Sequence, residues 1–394
     1  MRRSVVLVVA ALSFLLATAA HAEQTAAATV TPVKIGAIYN LSGAQASLGQ
    51  PSLRGAQLAV KQLNAAGGVL GRQIELKAYD GKTDPAVIRQ HTQTLVTSDQ
   101  AVALIGLNDT DMLLAAAPIA AKAEKVFLTS GATSPELPKQ VPEYLYLACF
   151  GDNAQAAAGA EYAYETLHAK TAYLLFDKSM VYARLLTDYF KTRFVELGGE
   201  VVLQDSYSEK NPDLSSYLRK LTSLARQPDL LYIAASVDEI GPVVKSIRNA
   251  GITTPIMGGD SYDTPLLLRV AGVTANNVYY TTHVLLNGEE GGQRVKQFIA
   301  AYKAEFGVAP ESAFAGLGYD AVMLLADAIK RAGTDQPQAI REALQATTDL
   351  PGVTGSVSFA PDSHIPKKTV TLVVVKNQRP TLAAEIIPKR VPPP

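Results

Sequence analysis

The sequence has a single cysteine, and this scarcity excludes an internal disulfide bond. Cys149 has no second cysteine to pair with anywhere in the 394-residue chain. The adjacent Phe150 favours a small buried apolar role for this side chain over that of a reactive thiol.

The sequence also lacks an excess of charge of either sign. Its 36 lysine and arginine residues equal its 36 aspartate and glutamate residues. A strongly basic chain would favour nucleic acid or an anionic membrane surface as a partner. We therefore expect no nucleic acid among the partners of this protein.

Signatures of catalysis and of metal binding are missing as well. There is no nucleophile elbow, no phosphate-cradling glycine loop and no G-x-G-x-x-G after a strand. The histidines have no metal-like spacing; they are His21, His91, His168, His283 and His364. The sequence therefore predicts a protein that is not an enzyme and that uses no metal ion or cofactor.

Long apolar runs are absent beyond the N-terminal region, which has the pattern of a secretory signal peptide. Arg2 and Arg3 precede the apolar run 5–19, and the small residues of Ala20-His21-Ala22 suit cleavage after Ala22. A short membrane anchor is the alternative, but the run is short for spanning a bilayer. We therefore expect residues 1–22 to be a signal peptide and the mature protein to be soluble and exported.

The rest of the chain has the size and pattern of two α/β lobes. At 394 residues with 48% hydrophobic content, it exceeds one average domain. Apolar strands such as Val33–Tyr39 and Leu230–Ala234 alternate with helices of 10–16 residues up to Gly258, which predicts parallel sheets wrapped by helices. Val278–Thr282 is a further predicted strand. The alternation is interrupted near residues 147–152, so we expect one lobe before this point and a second lobe after it.

The C-terminal third departs from this alternation, because helices come first and strands follow them. Long helices are predicted at about 292–306, 312–331 and 337–347, and strands at 357–359 and 369–375. Helices need a sheet to lie against, so we expect these to return to the first lobe and the strands to the second.

Three crossovers between the lobes follow from this arrangement, near residues 147–152, 279–283 and 355–359. The predicted N-terminal lobe comprises 32–148 plus 283–355, and the C-terminal lobe 149–282 plus 356–388. A hinge of three strands is suited to closure over a small ligand.

One corner of the first lobe places polar groups where such a sheet binds ligands. Strand 101–106 is followed by the helix-capping residues Asn108 to Thr110 and by a predicted helix over 112–123. A second strand, 126–129, ends in the small polar run Ser130 to Thr133. Ligands of open parallel sheets lie beyond the carboxyl ends of the strands, so we expect a binding site here.

Several short motifs, in this order and spacing, resemble a known family. They are KIGAIYNLSG (34–43), LNAAGGVLGRQIEL (63–76), YDGKTDP (79–85), AAAPIAAKA (115–123), TSGATSP (129–135), FDKSMVY (176–182) and GYDAVMLLADAI (318–329). The chain resembles the periplasmic solute-binding proteins of branched-chain amino acid ABC transporters over about residues 32–380. The resemblance implies the type I periplasmic binding protein fold, with two Rossmann-like lobes joined by three hinge crossovers.

The resemblance also implies a set of ligand contacts for an amino acid. The hydroxyl that holds the ligand carboxylate corresponds to Thr110. The carbonyl and the hydroxyl that take the ammonium correspond to Gly131 and Thr133, and the balancing carboxylate corresponds to Asp260. A second-lobe tyrosine of the pocket falls at or beside Tyr182.

Four positions depart from the pattern of the family. Leu48 and Ser236 stand where aromatic residues are expected, which reshapes the side-chain end of the pocket. Asp109 and Asp111 replace small neutral residues around Thr110. Both carboxylates suit the first turn of a helix. We include Asp111 among the expected ligand-binding residues. A carboxylate that faces the cleft would favour a ligand with extra positive charge or with several hydrogen-bond donors.

The function implied is capture of an amino acid, or of a related small polar solute, by hinge closure. The partner would be an ABC permease in the inner membrane, and a monomer is expected. Two alternatives stay open: the same fold binding an aromatic carboxylate or an amide, and a sensory protein that presents its closed form to a membrane receptor.

Overall fold

The computed structural model of the protein describes residues 31–208, 213–287 and 291–394. The predicted signal peptide, residues 1–22, lies outside the described residues. Within the described ranges, no helix combines the length and the apolar character that crossing a membrane requires. Cys149 is buried, as predicted.

The first lobe is built on a five-stranded sheet with the strand order β2-β1-β3-β4-β5. All neighbouring strands are parallel. The strands are β1 Val33–Tyr39, β2 Ile74–Asp80, β3 Ala103–Gly106, β4 Phe127–Thr129 and β5 Leu145–Leu147. The three-residue strand β5 was not predicted, because so short a run carries no periodic pattern.

Strand β1 shows why this sheet forms. Ile35 and Ala37 contribute to an apolar cluster on one side of the sheet, and Ile38 contributes to a cluster on the other side. A central strand of a parallel sheet is buried on both faces and is therefore largely apolar, and in β1 the part-buried Lys34 is the charged exception.

The helices of the first lobe before β5 are α1 Ala46–Ala65, α2 Pro85–Thr97, α3 Thr110–Leu113, α4 Ala117–Lys122 and α5 Leu137–Gln140. The start of α1 differs from what the sequence alone predicts, which is a Gly/Ser loop over 40–50 with Pro51 at the first position of the helix. Pro51 instead lies inside α1. Packing of the preceding turn explains this: Leu48 is only 7% exposed, and Gly49 lies against the backbone of Asn40.

The predicted continuous helix over 112–123 is also wrong, because the structure divides it into α3 and α4. Pro118 lies in the first turn of α4. Proline has no N–H for the preceding turn and its ring clashes with that turn, so a new helix begins here.

The second lobe is built on a seven-stranded sheet with the order β14-β13-β10-β9-β8-β6-β7. The strands are β6 Thr171–Asp177, β7 Glu200–Tyr207, β8 Leu230–Ala234, β9 Ile256–Gly258, β10 Val278–Thr282, β13 Val370–Lys376 and β14 Arg379–Ile386. β13 is antiparallel to both of its neighbours. The edge strand β14 was not predicted; Asn377 and Gln378 form its hairpin turn with positive φ angles and without the usual glycine.

The helices of the second lobe are α6 Asp152–Glu161, α7 Val181–Glu196, α8 Ser215–Thr222, α9 Ile240–Asn249 and α10 Pro265–Ala271. A π-helical turn, Tyr162–Thr166, extends α6, and 3-10 turns occupy Asp260–Tyr262 and Gly272–Ala275.

The three late helices are α11 Gln293–Phe306, α12 Ala313–Ala332 and α13 Pro337–Gln345. Helix α12 packs against α1 of the first lobe so closely that glycines are needed. A Cβ atom on Gly55 would lie 1.8 Å from the carbonyl oxygen of Ala315, and one on Gly318 would lie 1.8 Å from that of Ser52. The late helices thus return to the first lobe, as expected.

A small antiparallel pair follows, made of β11 Leu350–Gly352 and β12 Gly355–Val357. The expected strand over 357–359 is therefore displaced, and its partner β11 was not predicted. The hairpin pairs with itself rather than with either main sheet.

The chain passes between the lobes after β5, after β10 and after β12, and the fold class is the predicted one: two α/β lobes joined by three crossovers. The limits given for each lobe, 32–148 plus 283–355 and 149–282 plus 356–388, stay a prediction.

Candidate functional site

A pocket lies between the two lobes. Its volume is about 410 Å³, counted as all space between the atoms including the open mouth. The lining residues are Gln45, Leu48, Asn108, Asp109, Thr110, Thr133, Met180, Tyr182, Ser236, Val237, Asp260, Ser261 and Phe314. Clefts between lobes are common sites for small ligands.

Parallel strands from both lobes end at this pocket. Thr110 and Thr133 follow β3 and β4 of the first sheet, whereas Ser236 and Asp260 follow β8 and β9 of the second. Each sheet therefore presents the carboxyl ends of its strands to the same space, which is where open α/β sheets bind ligands.

Most of the residues singled out from the sequence line this pocket. They are Leu48, Thr110, Thr133, Tyr182, Ser236 and Asp260. Gly131 is not part of the lining; a Cβ atom there would lie 2.8 Å from the ring of Phe314 and 2.9 Å from Oδ1 of Asn108. Gly131 thus lies behind two lining residues.

The hydroxyl of Thr110 neither caps helix α3 nor bonds another described group of the protein. Asp109 is the N-cap of α3, because its Oδ1 accepts a hydrogen bond of 2.9 Å from the backbone N–H of Met112. Thr110 is 1% exposed, and its Oγ1 has no hydrogen-bond partner. Oδ1 of Asn108 and Oγ of Ser261 are buried without partners as well. These unpartnered atoms of lining residues are available to a polar ligand.

Asp109 and Asp111 differ in their surroundings. Burial raises the pKa of Asp109 to about 6, and the negative charge of Asp111 contributes to the increase. Asp111 does not line the pocket, because its Oδ2 accepts a hydrogen bond of 3.1 Å from the backbone N–H of Val181. Burial raises the pKa of Asp111 too.

Asp260 is the most constrained acidic group of the pocket. It is 3% exposed, and Tyr182 and Gln155 donate hydrogen bonds of 2.9 and 3.1 Å to its Oδ1. Nε2 of His283 lies 3.2 Å from its Oδ2. Asp260 does not cap α10, since that role belongs to Thr264.

A second carboxylate lies behind Asp260. The side-chain amide of Gln155 donates to Oδ1 of Asp152 at 3.0 Å as well as to Asp260. Its carbonyl oxygen accepts from the backbone N–H of Asp260 and from the hydroxyl of Thr281. Burial, with the nearby charge of Asp260, raises the pKa of Asp152 to about 8. The raised pKa favours the protonated form of Asp152 at neutral pH.

Sequence reasoning missed several residues of this site. Asp152, Gln155 and His283 lie behind the pocket, whereas Gln45, Asn108, Met180, Val237, Ser261 and Phe314 line it. Four of these could have been found from their position, because each lies in a segment that follows a strand: Gln45, Asn108, Met180 and Ser261.

The charged side chains known to line the pocket are acidic. Among the described residues, the lining contains Asp109 and Asp260 and no lysine, arginine or histidine. Within the described ranges, no group of three or more His, Cys, Asp or Glu side chains could hold a metal ion. The arrangement therefore suits a ligand with at least one positive or hydrogen-donating group.

Known proteins with similar sequences are periplasmic and amino acid binding proteins. A family model described as a periplasmic binding protein matches residues 32–380. An amino acid binding protein of Pseudomonas aeruginosa is 26% identical, over 80% of this chain and 82% of the relative. A Leu/Ile/Val-binding protein homolog of Brucella melitensis is 26% identical, over 85% of this chain and 89% of the relative.

Solved structures share the fold over almost their whole length. A leucine-binding protein, LivK from Thermotoga maritima, has a TM-score of 0.83 and 30% identity, covering 90% of this chain and 99% of that one. LivJ from Streptococcus pneumoniae, in complex with isoleucine, has a TM-score of 0.81 and 32% identity with the same coverage.

A solute-binding protein of R. palustris in complex with benzoate has a TM-score of 0.80 and 21% identity, covering 91% of this chain and 97% of that one. At this identity the likeness concerns the fold alone. With the matches to the family model and to LivK and LivJ, the chain belongs to the periplasmic binding protein family, as a type I member of the group that serves branched-chain amino acid ABC transporters.

Proposed function

We propose that this protein captures an α-amino acid, or a close polar relative, in the periplasm and delivers it to an ABC permease. The observation that supports this most is the composition of the pocket. It combines an unpartnered buried hydroxyl, Thr110, with a buried carboxylate, Asp260, and has no basic residue. A zwitterion offers one group for each of these two sites.

The ligand carboxylate would accept a hydrogen bond from Thr110 and from the backbone at the start of α3. The ammonium would donate to the hydroxyl of Thr133 and to Asp260, with the carbonyl of Gly131 close behind. A hydrogen bond between two charged groups is about twice as strong as one between neutral groups. Leu48, Val237 and Phe314 offer apolar surface to the side chain of the ligand.

Capture would proceed by closure of the two lobes, with Tyr182, Ser236 and Asp260 completing the site from the second lobe. A ligand shifts this equilibrium only by the contacts that it makes in the closed form and lacks in the open form. Scattering of X-rays in solution tests this step. We expect a smaller radius of gyration with ligand, and an unchanged radius would exclude closure.

An aromatic carboxylate is the second candidate, since the R. palustris protein of the same fold was solved with benzoate. Met180, Val237 and Phe314 would suit an aromatic ring. However, an acid without an ammonium would leave Asp260 uncompensated and would meet the repulsion of that buried carboxylate. The amino acid therefore fits this pocket better.

A thermal-shift screen followed by calorimetry separates the two candidates. The panel is L-leucine, L-alanine, L-threonine, 4-methylpentanoic acid and benzoate. We expect at least one amino acid to raise the melting temperature and the two acids without an ammonium to leave it unchanged. A shift with the acids alone would overturn the amino acid proposal.

A further inference from the structure

His283 lies directly behind the carboxylate of Asp260. It follows β10 at the start of the second crossover between the lobes, and its side chain is 0% exposed. Nε2 of His283 lies 3.2 Å from Oδ2 of Asp260. His283 does not belong to the pocket lining, so it would not touch a ligand there.

The imidazole ring is held by aromatic residues. It stacks on Phe150 with the ring centres 4.0 Å apart and an angle of 23° between the planes. The edge contact with Phe314, at 6.2 Å and 76°, connects it to a residue of the pocket lining. Phe150 follows β5 in the first crossover, so the ring of His283 joins two of the crossovers.

The protonation of His283 follows from its burial. Burial lowers the pKa of the ring, although the hydrogen bond to Asp260 and its charge act in the opposite direction. The neutral ring has one N–H, and Nε2 carries it, because a carboxylate oxygen only accepts. Nδ1 is then a buried acceptor, and it has no hydrogen-bond partner.

The unpartnered Nδ1 indicates that His283 has a role other than packing. A phenylalanine would fill the same aromatic stack without a buried polar atom that lacks a partner. The hydrogen bond from Nε2 to Asp260 is the interaction that phenylalanine could not supply. The imidazole is therefore explained by what it does to Asp260, not by packing.

The two oxygens of Asp260 are held by different residues. Tyr182 and Gln155 donate to Oδ1, and among the described residues His283 is the side chain that bonds Oδ2. Without His283, side chains would hold only Oδ1, and small changes of χ1 and χ2 together could swing Oδ2 to a new position, since the terminal torsion of aspartate has broad minima.

We propose that His283 is a positioning residue for ligand recognition: it fixes the plane of the Asp260 carboxylate and ties it to the first two hinge crossovers. The carboxylate thereby keeps one orientation toward a cationic group of the ligand. This role rests on the proposed function, in which Asp260 receives the ammonium.

Two substitutions separate the hydrogen bond from the packing. His283→Phe keeps an aromatic ring on Phe150 and removes the donor, whereas His283→Gln keeps a donor and removes the ring. Calorimetry is performed with whichever of L-leucine, L-alanine and L-threonine binds the wild-type protein most tightly. We expect His283→Phe to weaken binding at least tenfold and His283→Gln to stay within about threefold of wild type.

The double variant with Asp260→Asn tests whether His283 acts through Asp260. In that background we expect His283→Phe to change the affinity by less than twofold. A role in packing alone would weaken binding equally in both backgrounds. Such additivity, or wild-type affinity of His283→Phe, would overturn the positioning role.

Failure of the proposed function is recognised separately. If the wild-type protein binds none of the amino acids, the proposed function is wrong. Urea unfolding without ligand then tests whether His283 holds Asp260 in place. Losses of stability from His283→Phe and Asp260→Asn that are non-additive would support the positioning contact, and additive losses would contradict it.

Discussion

The carboxylate of Asp111 accepts a hydrogen bond of 3.1 Å from the backbone N–H of Val181, and this contact joins the two lobes directly. Asp111 lies in the first turn of α3, and Val181 begins the 16-residue helix α7. The first N–H groups of a helix lack partners within it, and the helix dipole favours negative charge there. The positive charge of Arg184 acts on Asp111 in the same sense.

We expect Asp111→Ala to weaken ligand binding by about tenfold, because the proposed closed form would lose a hydrogen bond between the lobes that involves a charged group. Asp111→Asn keeps an acceptor oxygen and loses the charge, so it should fall between the alanine variant and wild type. Calorimetry gives the affinities. Asp188→Ala, which removes an exposed carboxylate from the same helix α7, is the control. An effect of the control as large as that of Asp111→Ala would refute the contact as the cause.

The hydroxyl of Thr110 provides a test of the pocket that does not depend on folding. Thr110→Val has nearly the same shape and removes a buried oxygen that has no partner in the protein. We expect stability to be unchanged or increased, while affinity for an amino acid falls about tenfold. Thr110→Ser keeps the hydroxyl and should stay close to wild type. Denaturation and calorimetry measure the two effects, and equal affinity of the valine and serine variants would remove Thr110 from the site.

Asp152 should make the stability of the protein decrease as pH rises. Its pKa is raised from 3.8 to about 8, so between these pH values the folded protein holds a proton that the unfolded chain has lost. The stabilisation is complete below pH 4 and is lost as pH rises through about 8. Asp152→Asn removes this dependence. We expect a variant of similar stability at pH 4 that is more stable than wild type at pH 8, by a few kcal/mol at about 1.4 kcal/mol per pKa unit.

The difference between variant and wild type is the quantity to measure, because burial raises the pKa values of Asp109 and Asp263 as well. Urea unfolding at several pH values between 4 and 8.5 gives this difference. A constant difference across the range would show that Asp152 does not titrate as proposed.

Much of the fold could be predicted because buried strands have sharp local signals. The predicted limits of Val33–Tyr39, Leu230–Ala234 and Val278–Thr282 agree with the structure residue for residue. Each is a short run rich in apolar and β-branched residues, bounded by polar residues or turns. Thr110 was expected near the pocket because polar residues that follow parallel strands meet at one edge of the sheet. Asp260 was expected there from the resemblance to a known family.

The remainder depends on tertiary contacts that no local pattern reveals. From the sequence, an aspartate at the start of a helix looks the same whether it is exposed to water or buried. Asp152 is buried beside a second carboxylate, Asp260, and the sequence does not show this. Asp111 was expected in the pocket, and its actual partner, Val181, lies 70 positions away in the sequence. His283 gives no sequence signal, because its importance comes from Asp260 and Phe150 around it.

The close packing of α1 on α12 should make the Gly55→Ala substitution destabilising rather than stabilising. In an isolated helix, Gly55→Ala would stabilise by about 1 kcal/mol. Here the new Cβ atom would lie 1.8 Å from the carbonyl oxygen of Ala315, so the two helices must move apart. We expect a loss of about 3 kcal/mol in urea unfolding. Gly292→Ala is the control, since a Cβ atom there meets nothing within 4 Å. A stabilised Gly55→Ala variant would mean that the helices are not packed in this way.

Arg193 and Glu161 form a buried ion pair whose loss should destabilise the protein. Their side chains are 9% and 3% exposed, and Nη2 of Arg193 lies 2.6 Å from Oε1 of Glu161. Arg193→Met would leave a buried carboxylate that keeps only the backbone N–H groups of Lys389 and Arg390 as described partners. We expect a loss of about 3–5 kcal/mol.

Two further variants decide whether the stranded charge is the cause of that loss. Adding Glu161→Gln to Arg193→Met removes the uncompensated charge, so part of the stability should return. Arg226→Met breaks an exposed pair with Asp229, in which the arginine side chain is 81% exposed, and should cost less than about 1 kcal/mol. If the double variant is no more stable than Arg193→Met in urea unfolding, the loss comes from packing of the arginine stem rather than from the buried charge of Glu161.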